Sequence, residues 1–397
     1  MPVQTGYEIV IVGGGTAGIS VAARLKKKIP HGKIAIIDPA HKHYYQPLWT
    51  LVGGGIYPKE ASVKDQLSLI PSGVKYIQEV VTEIDPDRQL VLTNEDSQIS
   101  YDYLIVCPGL SINWDGVKGL KEAIGKDGVV TIYFYDFVDK TWEAIRNFKG
   151  GNAVFTFPNT PIKCGGAPQK IMYLAEEHFR RAGIRSKCSV KFYTAKPDLF
   201  DVAKYRQTLE SIVRERGIYV YFERHLIEIK AGTKEAVFEH LITKETETVP
   251  YDLLHVTPPM GPVAFLKNSA IVDQAGWVDV DPHTLQHKKY ETIFALGDAA
   301  NLPTSKTGAA IRKQVPVVVH NLLALKQGRE LTAKYNGYTS CPIVTGRGKL
   351  IMAEFDYAKQ PQETFPFDQS KERYSMFLVK KHVLPRLYWY GMLKGRA

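Results

Sequence analysis

The first forty residues alternate between short apolar runs and a helical pattern. Residues 7–12 are an apolar run rich in strand formers, followed by a glycine-rich turn and a helix through about Lys28. A second apolar run, Lys33–Ile37, ends at Asp38. Strands that alternate with helices in this way predict an α/β domain built on a parallel sheet.

The glycine-rich turn has the spacing of a dinucleotide-binding fingerprint. Gly13, Gly15 and Gly18 stand in the order G-x-G-x-x-G directly after the first strand, and Asp38 follows Gly18 by twenty residues. Gly13 permits the turn, Gly15 lets a pyrophosphate approach the backbone, and Gly18 lets helix and strand pack closely. Asp38 would hold ribose hydroxyls. The segment therefore predicts a dinucleotide site.

Two later strands indicate that this dinucleotide is FAD. Residues 292–296 are an apolar strand that ends in Gly297-Asp298, and residues 101–106 are a strand that leads to Gly109. A late strand that ends in Gly-Asp is typical of flavoprotein reductases, in which it holds the ribityl chain and the pyrophosphate. Together the three segments resemble the FAD domain of flavoproteins with two dinucleotide-binding domains.

A helix is predicted from about Gly308 to Lys326, just after the loop that carries Lys306. In these flavoproteins the start of that helix faces the flavin edge on which reduction builds negative charge. The helix dipole and Lys306 would stabilise this charge. A solvated loop lysine is an equal alternative for Lys306.

The second domain lacks the features of a nicotinamide nucleotide site. A buried strand is predicted over 152–157 and a helix from Pro168, but prolines and Cys164 stand between them in place of glycines. The next strand, over 189–193, ends in Thr194-Ala195-Lys196, without the acidic residue that NADH binding requires. The sequence therefore argues against electrons from NADH or NADPH.

Cys164 is a candidate redox thiol because it lies just ahead of a predicted helix. Unpaired N–H groups and the positive end of the helix dipole stabilise a thiolate there, and the adjacent Lys163 adds positive charge. A second cysteine, Cys341, follows 177 residues later in a predicted loop. The sequence does not show whether the two thiols meet, and a packed structural cysteine is the alternative for each. Cys107 and Cys188 are predicted to be structural.

Composition limits the partners. The chain has 397 residues, a formal net charge of +10 and four cysteines, none of them paired at metal-site spacing. The positive charge is spread along the chain, so nucleic acid is not expected as a partner. No apolar run reaches the ~18 residues of a transmembrane helix, and residues 1–7 show no secretory signal.

The C-terminal residues 374–397 interleave aromatic, aliphatic and basic side chains. A short amphipathic segment of this kind suits the bilayer interface. Packing against its own domain or a partner subunit is an equal alternative. A membrane-bound tail would lie on the membrane and not cross it.

Several segments along nearly the whole chain resemble type II sulfide:quinone oxidoreductases, the branch that includes the mitochondrial enzyme. The matching segments are His43–Gly53, the stretch around Cys164, Leu254–Met260, Ala275–Asp281, Tyr338–Gly346, Glu354–Tyr357 and Glu363–Arg373. The resemblance implies two Rossmann-like domains of the FAD/NAD(P)-linked reductase type and a C-terminal membrane-associating segment. We divide the chain into an FAD domain (1–126 and 280–330), a second domain (127–279) and a C-terminal region (331–397).

The resemblance also implies residue roles. Cys164 and Cys341 would be the redox pair, linked by a disulfide or a sulfur bridge. The implied FAD contacts are Thr16, Ala17, Asp38, Gln46, Val81, Asp298 and Lys306, and no metal is expected. Phe365 and Phe367 are candidate apolar contacts for quinone, although an aromatic pair packed in the core explains them equally well.

The implied activity is oxidation of hydrogen sulfide, with two electrons passing through FAD to a membrane quinone, either ubiquinone or menaquinone. Sulfane sulfur would leave on sulfite, a thiol, cyanide or further sulfide. The absence of a signal predicts the cytoplasmic face of a bacterial membrane, unless the chain is a trimmed organelle protein. The sequence leaves a homodimer open. The alternatives are a type II NADH:quinone oxidoreductase, a disulfide reductase and a non-catalytic flavin-binding membrane protein.

Overall fold

The computed structural model describes residues 4–397. Residues 1–3, which belong to the predicted first domain and to the segment expected to lack a secretory signal, lie outside the described residues. The strands are β1 (Gln4–Val12), β2 (Ile34–Ile37), β3 (Lys42–Tyr44), β4 (Val63–Asp65), β5 (Val74–Ile77), β6 (Val81–Asp85), β7 (Leu90–Thr93), β8 (Gln98–Val106), β9 (Ser111–Ile112), β10 (Val129–Val130), β11 (Gly151–Phe157), β12 (Cys188–Thr194), β13 (Tyr219–Tyr221), β14 (Arg224–Lys230), β15 (Glu235–His240), β16 (Thr246–Pro250), β17 (Leu253–His255), β18 (Met260–Gly261), β19 (Ile293–Ala295), β20 (Thr339–Gly346) and β21 (Lys349–Phe355).

Nine α-helical segments lie within the described residues. They are α1 (Thr16–Lys28), α2 (Trp49–Gly53), α3 (Leu120–Ala123), α4 (Val138–Asn147), α5 (Ala167–Arg181), α6 (Ala203–Glu215), α7 (Gly308–Lys326), α8 (Tyr374–Leu378) and α9 (Leu384–Arg386). The helix predicted over 308–326 is observed with those bounds, and the strand predicted over 152–157 begins one residue earlier.

The first sheet has the strand order β5-β2-β1-β8-β7-β6, with β19 parallel to β8. β1 lies between β2 and β8 and pairs with both in parallel, which places the turn after Val12 at the carboxyl edge of the sheet. The four residues of β2 are fully buried, as expected for a strand covered on both faces.

The second sheet is parallel throughout, in the order β10-β17-β11-β12-β13. A three-stranded antiparallel sheet, β14-β15-β16, accompanies it. The α/β class with two Rossmann-like sheets is confirmed. Leu266, Ile271 and Val278 pack in the first core although they precede the predicted boundary at residue 279.

The β20–β21 hairpin corrects the expectation of a loop at Cys341. Cys341 lies in β20, opposite Ala353 of β21, and is 3% exposed. The following proline suggests a loop, but a two-stranded sheet leaves each strand an open edge where proline costs no hydrogen bond. Side chains alternate across the hairpin, so Cys341 and Ile343 pack in the core of the second domain while Val344 and Met352 pack in the first core.

The C-terminal residues continue as a helical segment from Tyr374 to Lys394. One face of it is buried in the first core, including Tyr388 and Trp389. Packing against its own domain is therefore observed for that face. The residues that remain exposed include Tyr374, Leu378, Val383 and Tyr390. Within the described residues, no helix has the length and apolar character needed to span a bilayer.

Candidate functional site: a thiol pair between two cavities

Cys164 is held in a strained conformation just before α5. Its φ of 54° lies in the left-handed region, which non-glycine residues rarely occupy. The Cys164 N–H donates to Lys306 O at 2.9 Å, and its carbonyl accepts from Ala167 N at 2.9 Å and from Tyr133 Oη at 3.3 Å. Backbone strain of this kind persists only where the surroundings fix it, and it is concentrated at functional sites.

The fold brings Cys341 to Cys164. β20 packs against α5, and this packing places the Cys341 sulfur beside Gly166, two residues from Cys164. Gly166 is required for this approach, because a Cβ at that position would overlap Cys341 Sγ. Two thiols drawn from positions 177 residues apart therefore share one site.

The electrostatics of the site make Cys164 the thiolate of the pair. The hydrogen bond from Cys341 and the charges of Lys170 and Lys380 hold the pKa of Cys164 well below its usual range, against the effect of burial. The hydrogen bond to Cys164 and burial raise the pKa of Cys341. Lys170 Nζ donates to Cys164 Sγ at 3.3 Å.

A second buried lysine, Lys380, faces the same site from the C-terminal helical segment. It is 3% exposed, and its Nζ donates to Pro47 O at 2.9 Å. Burial and the neighbouring Lys170 lower the pKa of Lys380 to about 7, although the two cysteines raise it.

Sequence reasoning did not identify Lys170, Lys380 or Tyr133. One signal was available for Lys170, which lies in the first turns of α5. Cations are unfavourable near a helix N-terminus, so a lysine there without a structural reason suggests a chemical one. No local sequence signal marks Lys380 or Tyr133, because only tertiary packing brings them to the thiols.

Each thiol lines a different cavity. Cys164 lines a cavity of about 390 Å³, here called the Cys164 cavity, which extends from Thr16 at the start of α1 to Phe365. Cys341 lines a cavity of about 550 Å³, here called the Cys341 cavity, which lies at the carboxyl edge of the second sheet. Thr194 and Lys196, where a nicotinamide nucleotide would be expected, line the Cys341 cavity.

The predicted cofactor residues fall into two groups. Thr16, Gln46, Asp298 and Lys306 line the Cys164 cavity. The other predicted cofactor residues do not line that cavity, and they lie in the first sheet or near its carboxyl edge. They are Gly13, Gly15, Ala17, Gly18, Asp38, Val81, Gly109 and Gly297. Val81 starts β6 and is buried.

The glycine loop leaves space for a pyrophosphate. Gly13 has φ +105°, and a Cβ at Gly13 or Gly18 would overlap backbone atoms. A Cβ at Gly15 or Gly109 would meet nothing within 4 Å. Asp38 accepts from Gly14 N at 2.6 Å. The chain thus fits an extended dinucleotide whose pyrophosphate lies at the start of α1.

A half-buried charge cluster, formed by Lys306, Lys163 and Asp298, lies in the lining of the Cys164 cavity. Lys306 Nζ donates to Asp298 O at 2.6 Å and lies 3.9 Å from the ring centroid of Trp277. Burial lowers the pKa of Lys306 and of Lys163 to about 8, and burial raises the pKa of Asp298. The two lysines and the N-terminus of α7 would stabilise negative charge on a flavin.

Of the two candidate quinone contacts, Phe365 lines the Cys164 cavity and Phe367 does not. Phe367 stacks on Phe365 with ring centroids 5.4 Å apart. Cys107 and Cys188 are buried and donate to backbone carbonyls, as packed thiols do.

Comparison with known proteins extends these observations. Residues 7–133 match the family model described as pyridine nucleotide-disulphide oxidoreductase. The mitochondrial sulfide:quinone oxidoreductase of Dictyostelium discoideum is 51% identical over 98% of this chain and 86% of its own length, and that of Mus musculus is 48% identical over 98% and 87%. The crystal structure of the Aquifex aeolicus sulfide:quinone oxidoreductase superposes with a TM-score of 0.84 at 20% identity, covering 98% of this chain and 92% of that one, which shows a shared fold.

These relatives also bear on location and on the alternatives. Both curated relatives are named as mitochondrial, so the expected location at a bacterial cytoplasmic membrane receives no support. The NADH:quinone oxidoreductase and non-catalytic alternatives are not favoured. With about half of all residues shared across almost the entire chain, the protein belongs to the sulfide:quinone oxidoreductase family.

Proposed function

We propose that this FAD-dependent oxidoreductase oxidises sulfide at Cys164 and Cys341 and reduces a membrane quinone. The observation that carries the proposal is the placement of Cys341 beside the Cys164 loop, with each thiol lining its own cavity. In the oxidised enzyme the two sulfurs would be joined. Hydrosulfide would attack this link at Cys341, which would become a persulfide, and Cys164 would leave as a thiolate.

Lys170 supports this polarity. Of the two sulfurs, the one that is more stable as a thiolate leaves more readily. The Lys170 ammonium, 3.3 Å from Cys164 Sγ, stabilises the thiolate on Cys164. Sulfane sulfur would then pass from Cys341 to an acceptor in the Cys341 cavity, which returns Cys341 to a thiolate. FAD, when bound, accepts the two electrons released as the link between the sulfurs re-forms, and passes them to the quinone.

The acceptor would enter from the Cys341 side. At about 550 Å³ that cavity admits molecules larger than a sulfide ion, which supports sulfite, cyanide or a small thiol as well as sulfide. Asp198 pairs with Arg206 and Asp201 with Lys359, whereas Lys196 is exposed at the cavity wall. The remaining lining carboxylate, Asp273, accepts hydrogen bonds from Ala275 N and Trp277 N, so Lys196 is available to attract an anionic nucleophile.

We assign the cofactor contacts to Gly13, Gly15 and Gly18 at the pyrophosphate, Asp38 at a ribose, and Gln46, Asp298 and Lys306 nearer the flavin. We assign the quinone to the apolar end of the Cys164 cavity beside Phe365. Val379, Val383, Leu384 and Leu387 of the C-terminal helical segment line that end. Val383 lines the cavity and is also 51% exposed, so this end of the cavity lies close to the protein surface.

We place the protein on a membrane surface through the same segment. Residues 374–397 contain no Asp or Glu, and of their five Lys or Arg residues Lys380 is buried at the thiol site whereas Arg386, Lys394 and Arg396 are exposed. Exposed Tyr374, Leu378, Val383 and Tyr390 supply apolar and aromatic contacts. This combination suits a peripheral position on a bilayer with acidic headgroups.

The proposal is tested by anaerobic mixing of Cys164→Ser and Cys341→Ser with sulfide. Both variants should lose rapid bleaching of the flavin absorbance, whereas Cys188→Ser should keep it. Bleaching at the wild-type rate in either redox-site variant would remove that residue from the mechanism. Anaerobic addition of NADH should leave the wild-type spectrum unchanged.

A further inference from the structure

A polar cluster lies at the apolar end of the Cys164 cavity and has no part in the function proposed above. It consists of Tyr338, Glu354 and Thr364, which all line the cavity. Glu354 is 5% exposed and Tyr338 8% exposed, whereas Thr364 is exposed. Buried carboxylates and phenols cost free energy unless they are hydrogen-bonded, so their position beside a quinone site calls for an explanation.

The Glu354 carboxylate is bonded on both oxygens. Its Oε1 accepts from Tyr338 Oη and from Thr364 Oγ1, the latter at 3.0 Å. Its Oε2 accepts from Thr364 N at 2.8 Å and from Gln369 Nε2 at 2.7 Å. The carboxylate thus connects a buried phenol to an exposed hydroxyl.

The lining also includes the apolar side chains Pro342, Met352, Phe365, Val379, Val383, Leu384 and Leu387. Lys170 and Lys380 line the same cavity, but Lys380 Nζ is bonded to Pro47 O and Lys170 Nζ to Cys164 Sγ. Reduction of a quinone to a quinol consumes two electrons and two protons. Proton transfer to a developing oxyanion requires a positioned acid within hydrogen-bond reach.

The geometry points to Tyr338 as the group that protonates one quinone oxygen, with Glu354 and Thr364 returning the proton from solvent. This inference rests on quinone reduction as proposed above. The Tyr338 O–H bond breaks as the quinol O–H bond forms, and a solvent proton passed along Thr364 and Glu354 restores the phenol. The flavin supplies the two electrons together with the other proton. Tyr338 is then a catalytic residue and Glu354 a positioning residue.

The surroundings of Tyr338 favour a phenol that keeps its proton until a basic acceptor is present. Burial and the bond to Glu354 raise the pKa of Tyr338 to about 12, against the effect of Arg312. Lys313 Nζ lies 5.4 Å from the Tyr338 ring centroid. A phenol with so high a pKa keeps its proton at neutral pH until the quinone oxygen becomes basic.

Other groups contact the cluster from the second domain. Tyr205 Oη donates to the Glu354 carbonyl at 3.1 Å and to Glu363 Oε1 at 3.2 Å, and Lys204 pairs with Glu363. These contacts involve the Glu354 main chain and not its carboxylate. Tyr205→Phe is therefore a matched control that loses a buried hydroxyl beside the same residue without touching the cavity.

The Glu354 carboxylate also anchors the loop that carries Phe365, because Gln369 bonds both Glu354 and the Phe365 N–H. A purely structural role would loosen quinone binding and leave proton transfer unchanged. Two quantities separate the roles: the rate at which decylubiquinone reoxidises sulfide-reduced enzyme, and the dissociation constant of decylubiquinone from calorimetry on the oxidised enzyme.

Tyr338→Phe should slow reoxidation about a hundredfold, within the range for loss of a general acid, with decylubiquinone affinity unchanged. We expect a solvent deuterium isotope effect on reoxidation of the wild type, and this effect should change in Tyr338→Phe. Glu354→Gln should alter the pH profile of reoxidation, and Tyr205→Phe should leave it unchanged. Bleaching by sulfide should stay at the wild-type rate in Tyr205→Phe.

Reoxidation of Tyr338→Phe at the wild-type rate, or slow reoxidation caused only by weaker decylubiquinone binding, would overturn the inference. Thr364→Val provides a second test of the same path that leaves the phenol in place, and an unchanged isotope effect in that variant would remove Thr364 from it. Failure of wild-type enzyme to bleach with sulfide would instead refute the proposed function, so the two results are distinguishable.

Discussion

Lys170 Nζ lies 3.3 Å from Cys164 Sγ. Lys170 follows Cys164 by six residues and lies in the first turn of the helix that begins at Ala167. Lys170 is 2% exposed, so its charge is not screened by water. Burial lowers the pKa of Lys170 and the two cysteines raise it, with a net rise. Each group therefore favours the charged form of the other.

Replacing Lys170 with methionine should raise the pKa of Cys164, because an opposite charge at this distance lowers a pKa by about one to three units. Sulfide-dependent bleaching at pH 7 should slow on the order of tenfold and recover as the pH rises. Stopped-flow absorbance across pH 6–9 measures this change. Lys170→Arg keeps the charge and should restore most of the rate. A pH profile in Lys170→Met identical to that of the wild type would contradict the assignment.

The adjacent glycines Gly165 and Gly166 offer a matched pair. A Cβ at Gly166 would overlap Cys341 Sγ, whereas a Cβ at Gly165 would meet nothing within 4 Å. Overpacking costs about 1–3 kcal/mol, which corresponds to roughly a five- to 160-fold loss of rate if it separates the sulfurs. Gly166→Ala should therefore bleach slowly with sulfide, and Gly165→Ala should bleach at the wild-type rate. Equal rates would show that the sulfurs tolerate displacement.

The buried His43 ring should make the folded protein less stable in acid. It is 4% exposed, and its ring bonds Gln66 Oε1 at 3.1 Å and Tyr388 Oη at 2.5 Å. Burial lowers the pKa of His43 to about 4 from its ordinary 6.5. Between these values the unfolded chain binds more protons than the folded one, so the contribution is complete above pH 6.5 and is lost as the pH falls towards 4.

The free energy of unfolding should decrease by about 1.4 kcal/mol per pH unit in that window from this group alone. Urea titrations of the wild type and His43→Gln at pH 7, 6 and 5 measure the difference. The gap between the two proteins should narrow as the pH falls. A gap that stays constant would show that His43 does not titrate on unfolding in this range.

The basic C-terminal face predicts salt-dependent membrane binding. Arg386 and Lys394 are exposed on the segment that carries Val383 and Tyr390. Each basic residue near an anionic bilayer contributes about 1 kcal/mol. Arg386→Glu with Lys394→Glu should therefore lower binding to phosphatidylglycerol vesicles on the order of a hundredfold or more.

Vesicle flotation at low and high salt measures this binding, with Lys230→Glu combined with Lys234→Glu as the charge-matched control, because both lysines are exposed at the end of β14 and in the turn after it. The control should bind like the wild type. Equal binding of the double variant and the control would exclude this face. Turnover with a short-chain quinone in detergent should not differ between them.

Local features of the sequence predicted the FAD domain. The spacing of Gly13, Gly15 and Gly18, the acidic end of β2 and the bounds of α7 depend on contacts within a few turns of chain. Their physical causes, a positive φ or a close helix–strand contact, act over short range. The thiol at Cys164 was also visible, because a helix start and a missing fingerprint are both local.

The tertiary structure alone decided the partners of that thiol. Cys341 reads as a loop residue beside a proline, and only the packing of β20 on α5 places it at Cys164. Lys380 and Glu354 carry no local pattern that marks them as parts of a site. The pKa of each buried group depends on desolvation and on charges from distant segments, which neighbouring residues in the sequence do not determine. The sequence specified which chemistry the chain can perform, and the packing of its two domains and C-terminal segment determined which atoms perform it.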